Sequence, residues 1–374
     1  MVFCRQHFHK RACFVCFGMY FFRLLFCCSL LLLLVNRSQA QEITQDSSVR
    51  FFGVPLVFFS SDTKWGGGAG GVLTFRGYRL RSSVTFSLTY TQRKQWLALF
   101  PFVWYGRRGN WRVYGEAGWV NYTYRYFGLG NNYSNDYVEY YKAEYPRLRI
   151  TATRSINRRL SAGLRTYLEG YRIIEKEAGK ELDQHKVIGA EGGFSSGLGL
   201  VALLDTRENQ FFPRNGWYVE ATLSGEHPLT LSTFRYLRFL VDAAHYQSLG
   251  GKWVLATQLY SQFTTPQAPF FQLPSLGGNR RLRGYPDFKY RDRHVVLLQN
   301  ELRFPLVWRF KGVAFAAAGA VFGTPHERTR WRLNGGVGLR VEFDRQQQQH
   351  LRLDYGWGEF PGNSGFYLTF GEAF

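Results

Sequence analysis

Apolar and polar residues alternate with a period of two over most of the chain after residue 48. The alternating stretches are about ten residues long and are separated by turn residues, which is typical of transmembrane β-strands. In residues 351–357, LRLDYGW, the apolar side chains share one face, and Arg352, Asp354 and Gly356 share the other. Residues 331–343 follow the same pattern. The pattern predicts antiparallel strands with one apolar and one polar face.

Three further features favour a transmembrane barrel over a soluble sandwich, which also alternates. Aromatic residues cluster near strand ends, as in residues 96–105 and 119–126, where a membrane interface would place them. Short and long connections also alternate, and the last predicted strand runs to Phe374. We therefore predict an all-β, antiparallel transmembrane β-barrel of about sixteen strands. The predicted strands are 49–60, 66–77, 82–91, 94–105, 111–126, 140–154, 159–175, 194–206, 216–224, 233–247, 252–263, 294–304, 312–322, 331–343, 350–358 and 365–374.

The first forty residues have the features of a secretory signal peptide. They contain basic residues and no acidic one, then an apolar run at 24–35, then NRSQA at 36–40. We expect cleavage after Ala40, which divides the chain into a signal peptide at 1–40 and a barrel at 41–374. An uncleaved anchor and a start at Met19 rather than Met1 remain open alternatives.

Cysteine positions and net charge limit the chemistry of the predicted mature protein. All five cysteines lie within the first forty residues, so neither a disulfide nor a thiolate site is expected after cleavage. The whole chain carries a formal charge of +20. An exported basic protein meets anionic lipopolysaccharide and phospholipid headgroups, and we expect no nucleic-acid partner. The cysteines are Cys4, Cys13, Cys16, Cys27 and Cys28.

The alternation stops at residues 276–285, LGGNRRLRGY, in the loop between the eleventh and twelfth predicted strands. This segment resembles the signature of the BamA/TamA family of outer-membrane barrels, also called the bacterial surface antigen family. The resemblance implies that the loop-six motif, Leu282, Arg283, Gly284 and Tyr285, sits at the tip of the sixth external loop and folds back into the barrel.

Other segments resemble the same family in the same order along the chain. Residues 300–305 look like the strand after the loop, and residues 127–131 like an earlier external loop. Residues 205–209 and 212–216 look like the periplasmic turn motif, and residues 366–374 like a terminal strand signal that the barrel assembly machinery reads during insertion. The residues implied are Asp205, Arg207, Pro213 and Gly216 for the turn, and Phe370 and Phe374 for the signal.

A guanidinium held inside a barrel must be paired, because an unpaired buried charge is costly and arginine does not deprotonate. Glu301 and Asp354 lie on the polar faces of predicted strands, so we expect them to clamp Arg283. Family members often carry an acidic residue two positions after a phenylalanine on strand thirteen, whereas this chain has Phe315 followed by two alanines. Either another carboxylate substitutes or the loop is held more loosely.

The resemblance implies a barrel that assists insertion or transport of proteins or lipids at the outer membrane. Only about ten residues separate the predicted cleavage site from the first strand, so we expect a barrel-only member without POTRA domains. A periplasmic partner could replace those domains. The alternatives are a passive channel, anion-preferring because Arg332, Arg340 and Arg352 lie on inward faces, and a structural subunit of a larger complex.

Other signals carry little weight. The glycine-rich residues 66–71 satisfy a dinucleotide-binding pattern, but strand rather than helix is predicted after them. The scattered histidines show no metal-ligand spacing, so neither a metal nor another cofactor is expected. No catalytic group stands out, and we do not expect an enzyme.

Overall fold

The computed structural model describes residues 49–60, 64–75, 82–106, 109–131, 133, 136–326, 328–345, 348–359 and 362–374. The expected signal peptide lies outside these residues. Within the described part of the chain, no helix is both long enough and apolar enough to cross a membrane.

The described chain is almost entirely β-structure, with eighteen strands and two short 3-10 helices, Pro228–Thr230 and Phe270–Gln272. Sixteen strands form one antiparallel sheet in chain order, and β12 and β13 form a separate pair. The strands are β1 (Val49–Ser60), β2 (Lys64–Phe75), β3 (Ser82–Thr91), β4 (Trp96–Tyr105), β5 (Trp111–Tyr126), β6 (Glu139–Ser155), β7 (Leu160–Lys176), β8 (Gly192–Asp205), β9 (Gly216–Glu226), β10 (Tyr236–Gly250), β11 (Trp253–Thr264), β12 (Ser275–Leu276), β13 (Tyr290–Arg291), β14 (His294–Pro305), β15 (Phe310–Phe322), β16 (Arg332–Asp344), β17 (Gln349–Gly358) and β18 (Ser364–Phe370).

The large sheet confirms the all-β, antiparallel fold that the alternation predicts. The glycine-rich residues 66–71 lie within β2, where every one of them pairs with a residue of β1. The last predicted strand is too long, because β18 ends at Phe370 rather than Phe374. Gly371 has a positive φ of 75°, a conformation that breaks an extended strand.

Each long strand presents one apolar face to the outside. Leu198 and Leu200 on β8 and Phe366 on β18 are more than half exposed, at 61, 64 and 64 %. Their neighbours in the strand alternate to the buried face, as the two-residue period requires. Large exposed apolar side chains of this kind need an apolar solvent, which a lipid bilayer supplies.

The opposite face of the sheet is covered by the long connection between β11 and β14, residues 265–293, here called the inner loop. The β12–β13 pair lies within it. Phe270 packs against Tyr126 of β5 and Tyr141 of β6, and Phe271 stacks on Tyr171 of β7. The loop therefore contacts strands far from it in sequence, and we call the face that it covers the inner face.

The two ends of the large sheet meet through aromatic side chains. The ring of Phe52 on β1 stacks on Phe343 of β16 at 4.1 Å between centroids, and it meets the edge of Phe370 on β18 at 6.4 Å. In the ladder of the described residues, β1 pairs with β2 and β18 pairs with β17, and no ladder joins β1 to β18. We call this contact the seam.

Candidate functional site

Arg283 of the inner loop lies between the carboxylates of two strands. Its Nη2 is 2.7 Å from Glu301 Oε1 on β14, and its Nη1 donates a hydrogen bond to Asp354 Oδ2 on β17 at 2.5 Å. All three side chains are almost completely buried. The alternation of β14 and β17 places both carboxylates on the inner face, where the loop arrives.

Three further charged residues extend this contact into a network, which we call the ion cluster together with Arg283, Glu301 and Asp354. Arg303 Nη2 donates to Glu301 Oε2 at 3.0 Å. Arg340 Nη1 donates to Asp354 Oδ1 at 2.6 Å, and Arg340 Nε donates to Glu372 Oε2 at 2.7 Å. Each carboxylate of the cluster thus meets at least two guanidinium groups. A network of this kind offsets the cost of burying its charges.

The residues beside Arg283 fit the loop into a narrow space. Gly284 has φ of 107°, and a Cβ at this position would lie 2.7 Å from the backbone carbonyl carbon of Trp357. Its N–H donates to the hydroxyl of Tyr367 at 2.9 Å. The Tyr285 hydroxyl donates to the Leu333 carbonyl at 2.9 Å, and Leu282 is fully buried. Only glycine combines this φ with so close an approach of two backbones.

An aromatic ring on β15 contacts Arg283 where family members often carry an acidic residue. The guanidinium carbon of Arg283 lies 3.5 Å from the centre of the Phe315 ring, a cation–π contact. Glu301 on β14 and Asp354 on β17 supply the negative charge. The geometry brings together the three residues expected to form the clamp, and whether the contact fixes the loop in place stays a prediction.

The expected turn motif is a compact connection between β8 and β9. Arg207 donates two hydrogen bonds to the Asp205 carboxylate, both at 2.9 Å, and this carboxylate raises the pKa of Arg207 although burial alone would lower it. Gly216 has φ of 106°, and a Cβ there would lie 2.6 Å from the Thr206 carbonyl oxygen. Pro213 is buried. The turn is therefore fixed by one bidentate ion pair and one close backbone approach.

The chain after β18 turns toward the inner face. The Glu372 carboxylate joins the ion cluster, and the Phe374 ring packs against Tyr246 of β10 at 6.5 Å between centroids. Burial alone would raise the pKa of Glu372, but Arg340 and Arg303 lower it below its ordinary value. Phe370 lies on β18, whereas Phe374 lies beyond the strand, and the role of both as an assembly signal stays a prediction.

Sequence reasoning did not predict that Arg303, Arg340 and Glu372 join Arg283, Glu301 and Asp354 in the ion cluster. It placed Arg340 and Arg352 on inward faces, where they would favour anions in any open lumen, and in the structure both side chains are almost fully buried. Arg352 Nη2 donates to the Asn279 carbonyl of the inner loop at 2.8 Å. Each of these arginines lies two residues from an acidic residue on the same strand face, which indicated that its side chain points inward. No sequence signal indicated which residues it pairs with. Arg332, the third of that set, pairs with Glu359 at 3.1 Å.

Two cavities adjoin the inner loop. The larger, of about 480 Å³, lies against β5, β6, β7, β10 and β11. The smaller, of about 280 Å³, is bounded by the segment after β18 and by the turn between β8 and β9. Arg280 and Arg281 of the inner loop line both. Among the described residues, no group of three or more His, Cys, Asp or Glu side chains is placed to hold a metal ion.

Comparison with known proteins shows which family and which solved structures this chain resembles. Residues 68–374 match the family model described as the Omp85 superfamily domain. Among solved structures, BamA from Haemophilus ducreyi lacking POTRA domains 1–3 has a TM-score of 0.56 at 16% identity, covering 86% of this chain and 69% of that one. CdiB from Acinetobacter baumannii has a TM-score of 0.58 at 12% identity, covering 86% and 60%. CdiB from Escherichia coli has a TM-score of 0.57 at 14% identity, covering 88% and 63%.

These structural similarities show the fold alone, because the identities are low. The chain spans less than two thirds of either CdiB chain. No curated protein matches the sequence.

Proposed function

The chain belongs to the Omp85 superfamily and is an integral β-barrel protein of the outer membrane, and on this premise we propose that it assists insertion or transport of proteins or lipids there. The seam between β1 and β18 carries the proposal. It is formed by the rings of Phe52, Phe343 and Phe370, and no ladder joins the two end strands within the described residues.

A seam without a ladder supports this function for a physical reason. A strand edge presents backbone N–H and C=O groups that can pair with another extended chain. Aromatic contacts are individually weak, at roughly 0.5–1.5 kcal/mol beyond the area that they bury. Opening such a seam costs less than breaking a ladder of hydrogen bonds, so an incoming strand or a lipid can enter there.

The experiment joins the seam covalently. The cysteine pair Phe52→Cys and Phe370→Cys, closed with a short reducible thiol crosslinker, tests the seam in a strain depleted of the wild-type protein. We expect the closed form to fail to restore outer-membrane protein levels or lipid asymmetry, and reduction to restore them. The described residues contain no other cysteine that could react.

The matched control is the pair Tyr355→Cys and Phe366→Cys. These residues are register partners on β17 and β18, and both are exposed on the outer face. Closing this pair joins strands that are already hydrogen-bonded, so it should leave rescue intact. Full rescue by the closed seam variant, or depletion without any effect on outer-membrane proteins and lipids, contradicts the proposal.

The second candidate is a passive, anion-preferring channel. The larger cavity favours it, because more arginines than acidic residues line it, although the arginines on its strands are paired with glutamates. Steady anion-selective conductance in planar bilayers that deletion of residues 277–292 does not alter would support the channel. Absence of conductance from the intact protein would exclude it.

Partners follow from the same premise. Members of this superfamily work within outer-membrane assembly or secretion machinery, and we propose the barrel assembly machinery as the route of insertion for this chain. Its basic charge fits lipopolysaccharide and phospholipid headgroups at the membrane surface. A periplasmic partner in place of POTRA domains, or a structural role in a larger complex, is tested by affinity purification in mild detergent. A protein that copurifies at constant stoichiometry supports a complex, and a protein recovered alone argues against it.

A further inference from the structure

Two neighbouring arginines of the inner loop, Arg280 and Arg281, face the two cavities. Both line the larger and the smaller cavity. Arg281 lies over Tyr260, with 3.5 Å from its guanidinium carbon to the ring centre. In the part of the chain that the structure describes, neither guanidinium donates a hydrogen bond or forms an ion pair. Two permanent positive charges are therefore presented to the cavities.

The other basic residues of the larger cavity already have acidic partners. The arginines that project from its strands are each within 4 Å of a glutamate carboxylate. These pairs are neutral as units, so they do not supply a counter-charge to the loop. They are Arg149 with Glu169, Arg165 with Glu220 at 2.7 Å, and Arg238 with Glu226 at 3.8 Å.

The acidic residues that line the cavities are engaged as well. Each carboxylate accepts a hydrogen bond from a residue other than the loop arginines. Because Gln258 is neutral, Asp242 keeps its negative charge, and the two loop arginines together with Asp242 leave the cavities with a net positive charge. The pairs are Glu116 with Arg147 at 2.9 Å, Asp242 with Gln258 at 2.6 Å, and Glu372 with Arg340 at 2.7 Å.

Two adjacent guanidinium groups in this setting favour an anion. Arginine keeps its proton in proteins, so both charges are permanent. Arg280 is exposed to the space that it lines, where an anion can reach it, and no carboxylate among the described residues forms an ion pair with either group. Guanidinium groups match the oxygens of a phosphate or a carboxylate with paired hydrogen bonds.

We propose that Arg280 and Arg281 bind the phosphate ester of a polyol in the larger cavity. The cavity, at about 480 Å³, has the size of a small-molecule site. Thr151, Gln262 and Ser275 also line it and supply uncharged groups for the hydroxyls of a sugar or of glycerol. Lipid headgroups and soluble sugar phosphates share this chemistry. The site does not depend on the function proposed for the seam.

The test measures binding of glycerol 3-phosphate to the purified full chain by isothermal titration calorimetry, with glycerol as the neutral control. We expect saturable binding of the phosphate ester and none of glycerol. Arg280→Gln should weaken binding about tenfold to a hundredfold, since a hydrogen bond to a charged group contributes about 1.5–3 kcal/mol. Arg280 makes no side-chain contact that folding needs, so this variant should retain heat-modifiable gel mobility.

The matched control is Arg235→Gln, which removes the same charge from an exposed loop arginine that lines neither cavity. It should bind as the wild type does. Repeating the titration in nanodiscs separates the two sources. Weaker binding in phosphatidylglycerol than in phosphatidylcholine nanodiscs assigns the site to a lipid headgroup, and equal binding assigns it to a soluble ester. No saturable binding, or equal weakening by Arg235→Gln and Arg280→Gln, overturns the proposal.

Discussion

The first four and the last five strands of the large sheet share one ladder geometry but differ in what holds their inner face. In β1–β4 the charged residues are Arg50 and Lys64 alone, and β2 carries a glycine-rich run. In β14–β18 the inner face carries most of the ion cluster, which binds the inner loop through Arg283. One end of the sheet is therefore fixed to the interior by buried charge. The other end depends mainly on its backbone ladder and on the seam.

This difference predicts which side of the seam moves. Removing one partner of a buried ion pair lowers the stability of the fold by roughly 3–5 kcal/mol. Losing the contact of a small side chain or a hydroxyl lowers it far less. We expect β1 to move when the seam opens, and β18 to remain attached to the inner loop through β17 and Glu372.

The largest effect is expected from a substitution within the ion cluster. Glu301→Lys places a further cation among Arg283, Arg303 and Arg340, and it should destabilise the fold by roughly 3–5 kcal/mol or more. Loss of heat-modifiable gel mobility measures this. Glu301→Gln, which keeps the shape, should shift the urea midpoint downward without abolishing folding. An unchanged midpoint in both variants would refute the clamp.

A smaller effect is expected from a pair of glycine substitutions, one at each end. In Gly284→Ala the new methyl group would meet the Trp357 backbone at 2.7 Å at a positive φ, so a loss of about 2–4 kcal/mol is expected. In Gly70→Ala its nearest neighbour would be the Phe370 ring at 3.1 Å, and we expect less than about 1 kcal/mol because a ring can shift. Urea unfolding in lipid vesicles measures both. Equal losses of stability in the two variants would contradict the difference between the two ends of the sheet.

A moderate and pH-dependent effect is expected at Glu372. Replacing it with glutamine should cost about 1–3 kcal/mol at pH 7, since it accepts a charge-assisted hydrogen bond from Arg340. Its pKa is lowered in the folded protein, so its contribution is present above the ordinary glutamate pKa of about 4.3 and is lost as the pH falls through the folded pKa. The difference in urea midpoint between wild type and Glu372→Gln should thus shrink at acidic pH. A difference that stays constant would show that the carboxylate charge is irrelevant.

The smallest effect is expected in the first four strands, outside the ion cluster. The Thr74 hydroxyl of β2 donates to the Arg50 carbonyl of β1 at 3.5 Å, the long limit of a hydrogen bond. Thr74→Val should change the free energy of unfolding by less than about 1 kcal/mol. A loss as large as that of Glu301→Gln would show that the first strands are held as firmly as the last.

Much of the fold could be predicted because strand identity is a local property. Outside the inner loop, the observed strands begin and end within a few residues of the alternating segments, as at β5 and β14. The exceptions have physical causes. The last predicted strand includes residues 371–374, but Gly371 and the attraction of Glu372 to Arg340 turn this segment inward.

The candidate site was only partly predictable. Alternation gave the inward direction of Glu301 and Asp354, and the loop motif gave Arg283. It did not give Phe315 as a cation–π partner or Arg303 as the second cation on Glu301, because both depend on which strands face the loop.

The sequence by itself determined the strands, their apolar outer faces and the polarity of the inner face, because a period of two is set by backbone geometry within each segment. The tertiary structure decided which charges meet, where the chain leaves its last strand, and that Arg280 and Arg281 line two cavities. These contacts join residues that lie far apart in the sequence, as Arg283 and Asp354 do at 71 positions. Such pairing depends on the curvature of the whole sheet around the inner loop, which no local pattern encodes.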